Sequence, residues 1–188
     1  MKKENVLTTA SVKPGDDIVV TKWIGLEGTS IAAKEKESLL LEHLRRLLWR
    51  LQKNSTNIFP LFRSKNCRRV GRICYARYYR GGVFGALWEM GSGSGVGLDI
   101  DLKEIPIRQE TVEVCEVLGL NPYILMSSGS MMIAAKDGYG LVRKLKQAGI
   151  EAAVVGKATD GNDRILRNGE DTRYLDKPQS DELYKIYQ

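Results

Sequence analysis

The chain has 188 residues, 29 of them basic and 23 acidic, for a formal net charge of +6, with an apolar share of 43% and a charged share of 28%. That length and balance suit one globular domain, or one domain with an appendage, and no apolar run is long enough to span a bilayer. A single histidine, His43, argues against a histidine-based triad or metal centre, and the irregular spacing of Cys67, Cys74 and Cys115 draws neither a disulfide framework nor a four-ligand zinc site.

Met1-Lys2-Lys3-Glu4 is followed by no apolar core of a signal peptide, so a cytoplasmic chain is expected. Lys13-Pro14-Gly15-Asp16-Asp17 is turn chemistry, and Ile18 to Thr21 after it is a short β-branched strand. Gly25 to Thr29 breaks that strand and offers Thr29 as the cap of a helix from Ser30 to about Leu41. From His43 to Arg80 no clean period survives. Order returns at Gly81, where Val83, Phe84, Leu87 and Trp88 mark one face of a short helix that Gly91 to Gly97 should end. Val96 to Leu102 alternates as a half-buried strand, and Val112, Cys115 and Leu118 form a helical stripe closed by Gly119. Tyr123 to Met126 and Met131 to Ala135 predict two strands joined by Ser127-Ser128-Gly129-Ser130. Asp137 caps a helix through Leu141, Leu145 and Ala148, and Ala152 to Gly156 is a buried strand. Arg164 to Arg167 and Thr172 to Leu175 predict a hairpin across Asn168-Gly169, before a tail helix from Asp181 to Tyr187. Together these elements predict an α+β fold, a mixed β-sheet with helices packed on it.

The charge is concentrated. His43 to Arg80 holds eleven Lys and Arg and no acid, leaving eighteen basic against 23 acidic residues elsewhere. Cations interleaved with aromatic residues, as in Tyr75-Ala76-Arg77-Tyr78-Tyr79-Arg80, suit single-stranded nucleic acid, with a disordered or non-native segment as the competing account.

Other motifs divide between chemistry and plain structure. Gly91-Ser92-Gly93-Ser94-Gly95-Val96-Gly97 has the glycines of a dinucleotide fingerprint in the wrong order, helix before strand, and reads as a connector. Gly81-Gly82 opening a helix is a better anion candidate, because unpaired N–H groups at a helix N-terminus favour negative charge. Ser127 to Ser130 could present N–H and hydroxyl donors to phosphate, or be an ordinary turn. Asp99 and Asp101 share one face of a strand, where a solvated face explains them. Glu27, between Gly25 and Gly28, sits where backbone bends sharply, which favours function and structure about equally.

Four stretches taken together carry a resemblance. They are "KPGDDIVVTKWIGLEGT", "GGVFGALWEM…SGVGLDIDLKEIPIRQETVEVCEVLGLNPY", "SSGSMMIAA" and "GIEAAVVGKATDGNDRILRNGEDTRYLDKPQSDELYKI". In this order they resemble the C-terminal domain of the aminoimidazole ribonucleotide synthase superfamily. Its members include that purine enzyme, the hydrogenase maturation factor that dehydrates a thiocarbamate, thiamine monophosphate kinase and selenide, water dikinase. The likeness is greatest to the hydrogenase maturation factor.

The resemblance implies an ATP-dependent, dimeric enzyme that activates an oxygen by phosphorylation. ATP and magnesium are held mostly by acidic residues of an N-terminal domain, and neither by this chain alone. On that reading residues 1–12 are a linker remnant, 13–42 and 81–188 form the synthase-like domain, and 43–80 is a basic segment between its two parts. The implied partners are the N-terminal ATP-binding domain, a second copy of the chain and hydrogenase maturation proteins, with neither nucleic acid nor membrane. The matching positions are Gly25, Glu27 and Gly28, Gly81 and Gly82, and Ser127, Ser128, Gly129 and Ser130, as substrate- and phosphate-binding residues. No catalytic residue is assigned and no metal ligand. The chain ends Ile186-Tyr187-Gln188, where the hydrogenase maturation factors end in a cysteine that carries the carbamoyl group.

The family also places a His-Asp, a hydrophobe, Thr and an acid before its Gly-Gly. Permitted codons for Tyr75 to Gly82 (TAT GCA CGA TAT TAC AGA GGG GGx), read one base later, give Met-His-Asp-Ile-Thr-Glu-Gly. Residues 43–80 are therefore expected to be translated out of frame, which the nucleotide sequence of the locus tests. The rival expectation is a basic module that binds nucleic acid through that window, with affinity falling steeply with salt.

Overall fold

The computed structural model of the chain describes residues 11–43, 73–77, 81–177 and 180–187, with 73–77 as backbone alone. The β-branched run after the Pro14-Gly15 turn forms β1 (Asp17–Thr21), buried along its whole length. Burial on both faces makes it a central strand, and its side chains divide accordingly. Ile18 and Val20 join one apolar cluster and Val19 another.

Among the described residues seven strands make one mixed sheet in the order β2-β4-β1-β5-β3-β6-β7. These are β1, β2 (Ile73–Arg77), β3 (Gly97–Asp101), β4 (Met131–Ala135), β5 (Ala152–Thr159), β6 (Arg164–Asn168) and β7 (Asp171–Tyr174). β3 and β6 run parallel and the other neighbours antiparallel. β6 and β7 form the expected hairpin, with Asn168 paired to Asp171 around a two-residue turn.

Helices cover both faces. α1 (Leu26–Glu35) follows β1, and α2 (Gly82–Ser94) packs Val83, Ala86, Leu87 and Met90 against the Ile18 and Val20 side. α3 is Gln109–Leu118 and α4 is Gly138–Gln147. α4 buries Leu141 and Leu145 against Val19 and Ile133 and exposes Arg143, Lys144 and Lys146. Asp137 caps α4 as expected, accepting the Gly140 N–H at 2.8 Å. The fold is α+β, a mixed sheet with helices on it, as the sequence predicts.

Several elements depart from the sequence expectations. Tyr123 to Met126 is not a strand. Its backbone groups are used elsewhere: Tyr123 O accepts from Phe84 N, Met126 O accepts from Gly28 N, and Met126 N donates to Asp181. A segment whose hydrogen bonds go to helix starts and a carboxylate has none left for a ladder. Thr29 is not a cap. The helix begins three residues earlier at Leu26, and the Thr29 hydroxyl donates to Gly25 O at 2.6 Å inside its first turn. α2 does end within the Gly91–Gly97 run, at Ser94 with Gly95 as its left-handed cap. Gly91 is small because the Arg164 side chain lies on it, and a Cβ there would sit 2.7 Å from Nε. Arg164 also stacks on Trp88, 4.4 Å from the ring centroid. The tail from Glu182 to Tyr187 is a 3-10 helix.

β2 arises inside the basic window, where no periodic pattern announces it. Strand pairing uses backbone groups, so the edge of β4 accepts it through all five of its residues. Apart from His43 and β2, the window lies outside the described residues, and so do the out-of-frame and nucleic-acid expectations that rest on it.

Strand register decides where the loops emerge. Thr21, the last residue of β1, and Arg77, the last of β2, both pair with Met131, the first of β4. The loops after β1, after β2 and before β4 therefore leave the sheet at the same end.

Candidate functional site

Those three loops, with the first turns of the two helices that follow them, carry all nine residues singled out in the sequence. Gly25 is the N-cap of α1, and its amide donates to Ser127 Oγ at 2.7 Å. The Ser127 hydroxyl donates onward to Leu125 O at 2.8 Å. Gly28 N donates to Met126 O at 3.1 Å, and the Ser130 hydroxyl to Trp23 O at 3.0 Å. The first loop and the serine loop are thus laced together. Gly81 and Gly82 open α2 beside them: the nearest atoms to a Cβ on Gly82 would be Tyr123 O, Ile124 C and Leu125 O, at 2.6 to 2.8 Å.

Burial separates the nine. Gly25, Gly28, Gly81, Gly82, Ser127 and Ser130 are buried and form the frame, whereas Glu27 and Ser128 are half-buried and Gly129 is exposed. Glu27 Oε2 accepts the Ser128 N–H at 3.1 Å, which fixes the carboxylate against the serine loop. The solvent-facing part of the constellation is therefore Glu27, Ser128 and Gly129.

One residue of this junction went unrecognised in the sequence. Asp181 is 1% exposed, and its carboxylate accepts N–H groups from Gly81 (3.2 Å), Met126 (3.2 Å) and Leu183 (3.0 Å). Burial pushes its carboxyl above the usual range, while the Leu183, Met126 and Gly81 amides pull it down and Glu182 adds a further rise. An acid opening an apolar Leu-x-x-Ile tail was the available signal, and it read as an ordinary helix start. The Gly81 N–H expected for a phosphate is thus donated to a side chain of this chain.

Asp99 and Asp101 do not act as a pair. Arg167 Nε and Nη2 hold the two oxygens of Asp99 at 2.7 and 2.8 Å, and Asp101 Oδ1 accepts the Lys103 N–H. Among the described residues no group of three His, Cys, Asp or Glu could hold a metal ion. No step is assigned to magnesium at these residues. No helix among them is long and apolar enough to cross a membrane. A cleft of about 420 Å³ opens beside Tyr123, lined also by Leu102, Leu166, Asn168, Asp171, Thr172 and Arg173, none of them a residue the sequence singled out.

Cys115 lies buried under this junction. Burial, helped by the Glu182 carboxylate, pushes its thiol up to about 12, so it stays protonated at neutral pH. Iodoacetamide at pH 8 should leave the Cys115 peptide unmodified in the native chain and alkylate it in urea, read by mass spectrometry. Labelling of the native chain at Cys115 would contradict this.

The junction of two glycine-led helices and a serine loop at one sheet end coincides with a family match. Residues 80–167 match the model of the AIR synthase related protein, C-terminal domain. Over these residues the chain is similar to that family. Carbamoyl dehydratase HypE of Rhodobacter capsulatus is 26% identical over 156 residues, which are 81% of this chain and 44% of that protein. The crystal structure of E. coli HypE, a hydrogenase maturation protein, superposes with a TM-score of 0.75 at 20% identity, over 96% of this chain and 55% of that one. HypE in complex with ATP gives 0.73 at 17% identity, over 99% of this chain and 57% of that one. At these identities the structural likeness is one of fold. The chain spans less than half of the curated relative and little more than half of the solved structures.

Proposed function

We propose that the chain is the substrate-side half of an ATP-dependent enzyme of the hydrogenase maturation type. It lines the cleft in which a phosphoryl group is handled, and an N-terminal ATP-binding domain supplies nucleotide and metal ligands. The observation that carries this is the convergence of the three loops at one end of the sheet, set by the pairing of Thr21 and Arg77 with Met131. It is supported by the likeness to HypE, a relative solved with ATP.

In this proposal Glu27, Ser128 and Gly129 face the bound group. The Glu27 carboxylate, held by the Ser128 amide, is placed to take a proton from the oxygen being activated. The buried glycines and serines keep the two helix starts and the loop at fixed distances.

The test combines the full chain with a separately produced N-terminal ATP-binding domain of a HypE relative and measures ATP hydrolysis. Hydrolysis should require both components, and Glu27→Gln should lower turnover by about a hundredfold. Turnover by this chain alone, or an inactive mixture, would overturn the proposal.

A further inference from the structure

The C-terminal tail reaches every part of this junction. Leu183 and Ile186 pack with Ala32 and Ala33 of α1, Val114 and Cys115 of α3, and Leu125 ahead of the serine loop. Glu182 Oε2 accepts the Asn121 N–H at 3.1 Å, and Oε1 pairs with Lys185 at 2.8 Å. Asp181, at the head of the tail, makes the connection between loops. Its Oδ2 accepts from Gly81, at the start of α2, and its Oδ1 accepts from Met126 and Leu183.

That division of labour depends on the chemistry of a carboxylate. All three partners are donors, so both oxygens must be acceptors. A carboxamide offers one oxygen and one NH2, and can serve only one side. Turned to keep the Met126 and Leu183 bonds, it would set its NH2 against the Gly81 N–H.

We propose that Asp181 is the positioning residue of the site, a two-oxygen spacer that sets the Gly81-Gly82 turn against the Met126–Ser130 segment. Its importance for function rests on the phosphoryl-site proposal; its spacer geometry does not. The tail thereby becomes part of the site's construction, and Asp181 acts through the two loops it joins rather than on a ligand.

The experiment uses the full chain and its Asp181→Asn, Asp181→Ala and Asp181→Glu variants. Amide hydrogen exchange is read by NMR, with and without added pyrophosphate. In Asp181→Asn the Gly81 amide should exchange about tenfold faster or more, the loss of a charge-assisted hydrogen bond, while Met126, Leu183 and the β1 amides change little. In Asp181→Ala all three partners should speed up with β1 still protected. Asp181→Glu, with both oxygens retained, should restore part of the Gly81 protection.

Equal exchange at Gly81 in the parent and Asp181→Asn would overturn the spacer. So would a uniform rise that includes β1, since that reports only general loosening. Pyrophosphate separates the two proposals. If the parent's Ser128 and Gly129 amides do not respond to it, the phosphoryl-site proposal fails while the exchange pattern still decides the spacer. If they respond in the parent and respond identically in Asp181→Asn despite a lost Gly81 bond, the positioning role is refuted.

Discussion

Gly82→Ala should destabilise the chain by about 3 kcal/mol or more, the sum of a left-handed backbone cost for an L-residue and an overpacking cost. Gly82 has φ +57, and an added methyl would meet Tyr123 O, Ile124 C and Leu125 O, all main-chain atoms. A side chain could swing away; a backbone already tied to Phe84 N and Asp181 cannot move without losing those bonds. Gly119→Ala is the control. It shares a positive φ of +64 but has nothing within 4 Å, so it should cost only about 1 kcal/mol, the backbone term alone. Urea denaturation of both variants measures the difference. Similar losses for the two would show that the Tyr123–Leu125 backbone is not in close contact with α2. A Gly82 variant that survives should also lose the alignment of the Gly81 amide with Asp181, because the methyl would lift the start of α2 from its cushion.

Local patterns announce most of the sheet. Ile18 to Thr21, Val96 to Leu102 and the hairpin across Asn168-Gly169 have the β-branched runs, alternation or turn residues that strands need, and each is a strand. Tyr123 to Met126 has a strand's composition and a different fate, because nothing in its own residues says that α1, α2 and Asp181 will claim its amides and carbonyls. β2 is the converse case: its residues carry no period, and a neighbouring strand edge recruits its backbone. The nine candidate residues were marked in the sequence by glycine and serine breaks, with Glu27 between two of those glycines. Their division into a buried frame and a partly exposed trio was not legible, since it follows from which side of each loop faces Leu125. Asp181 was illegible for a related reason. Its loop partners are 100 and 55 residues away in sequence, and all three of its donors are backbone amides that almost any residue would supply.

Leu125 is the side chain on which the first loop and the serine loop meet, and a mutant cycle with Gly28 should expose it. Leu125 is fully buried, and a Cβ on Gly28 would lie 2.5 Å from its Cγ and 2.8 Å from its Cδ1. Leu125→Ala removes those atoms from a closed core and should cost about 3 kcal/mol. Gly28→Ala forces a methyl into the same place, at a cost of about 1 to 3 kcal/mol in overpacking, offset by about 1 kcal/mol of improved helix propensity within α1. In the double variant the new methyl enters the space that the leucine vacates, so the clash disappears while the helical gain remains. The double variant should therefore be more stable than Leu125→Ala alone, with a coupling of about 2 kcal/mol across the cycle. Urea denaturation of the four proteins decides it, and additivity within about 0.5 kcal/mol would mean that the two residues do not touch. The amide of Gly28, which donates to Met126 O, adds a local readout. It should lose protection in Gly28→Ala, where α1 is pushed off the segment, and regain it in the double variant. Protection that follows the cycle would show that one apolar side chain sets the distance between the start of α1 and the serine loop, and so the height at which Glu27 meets Ser128.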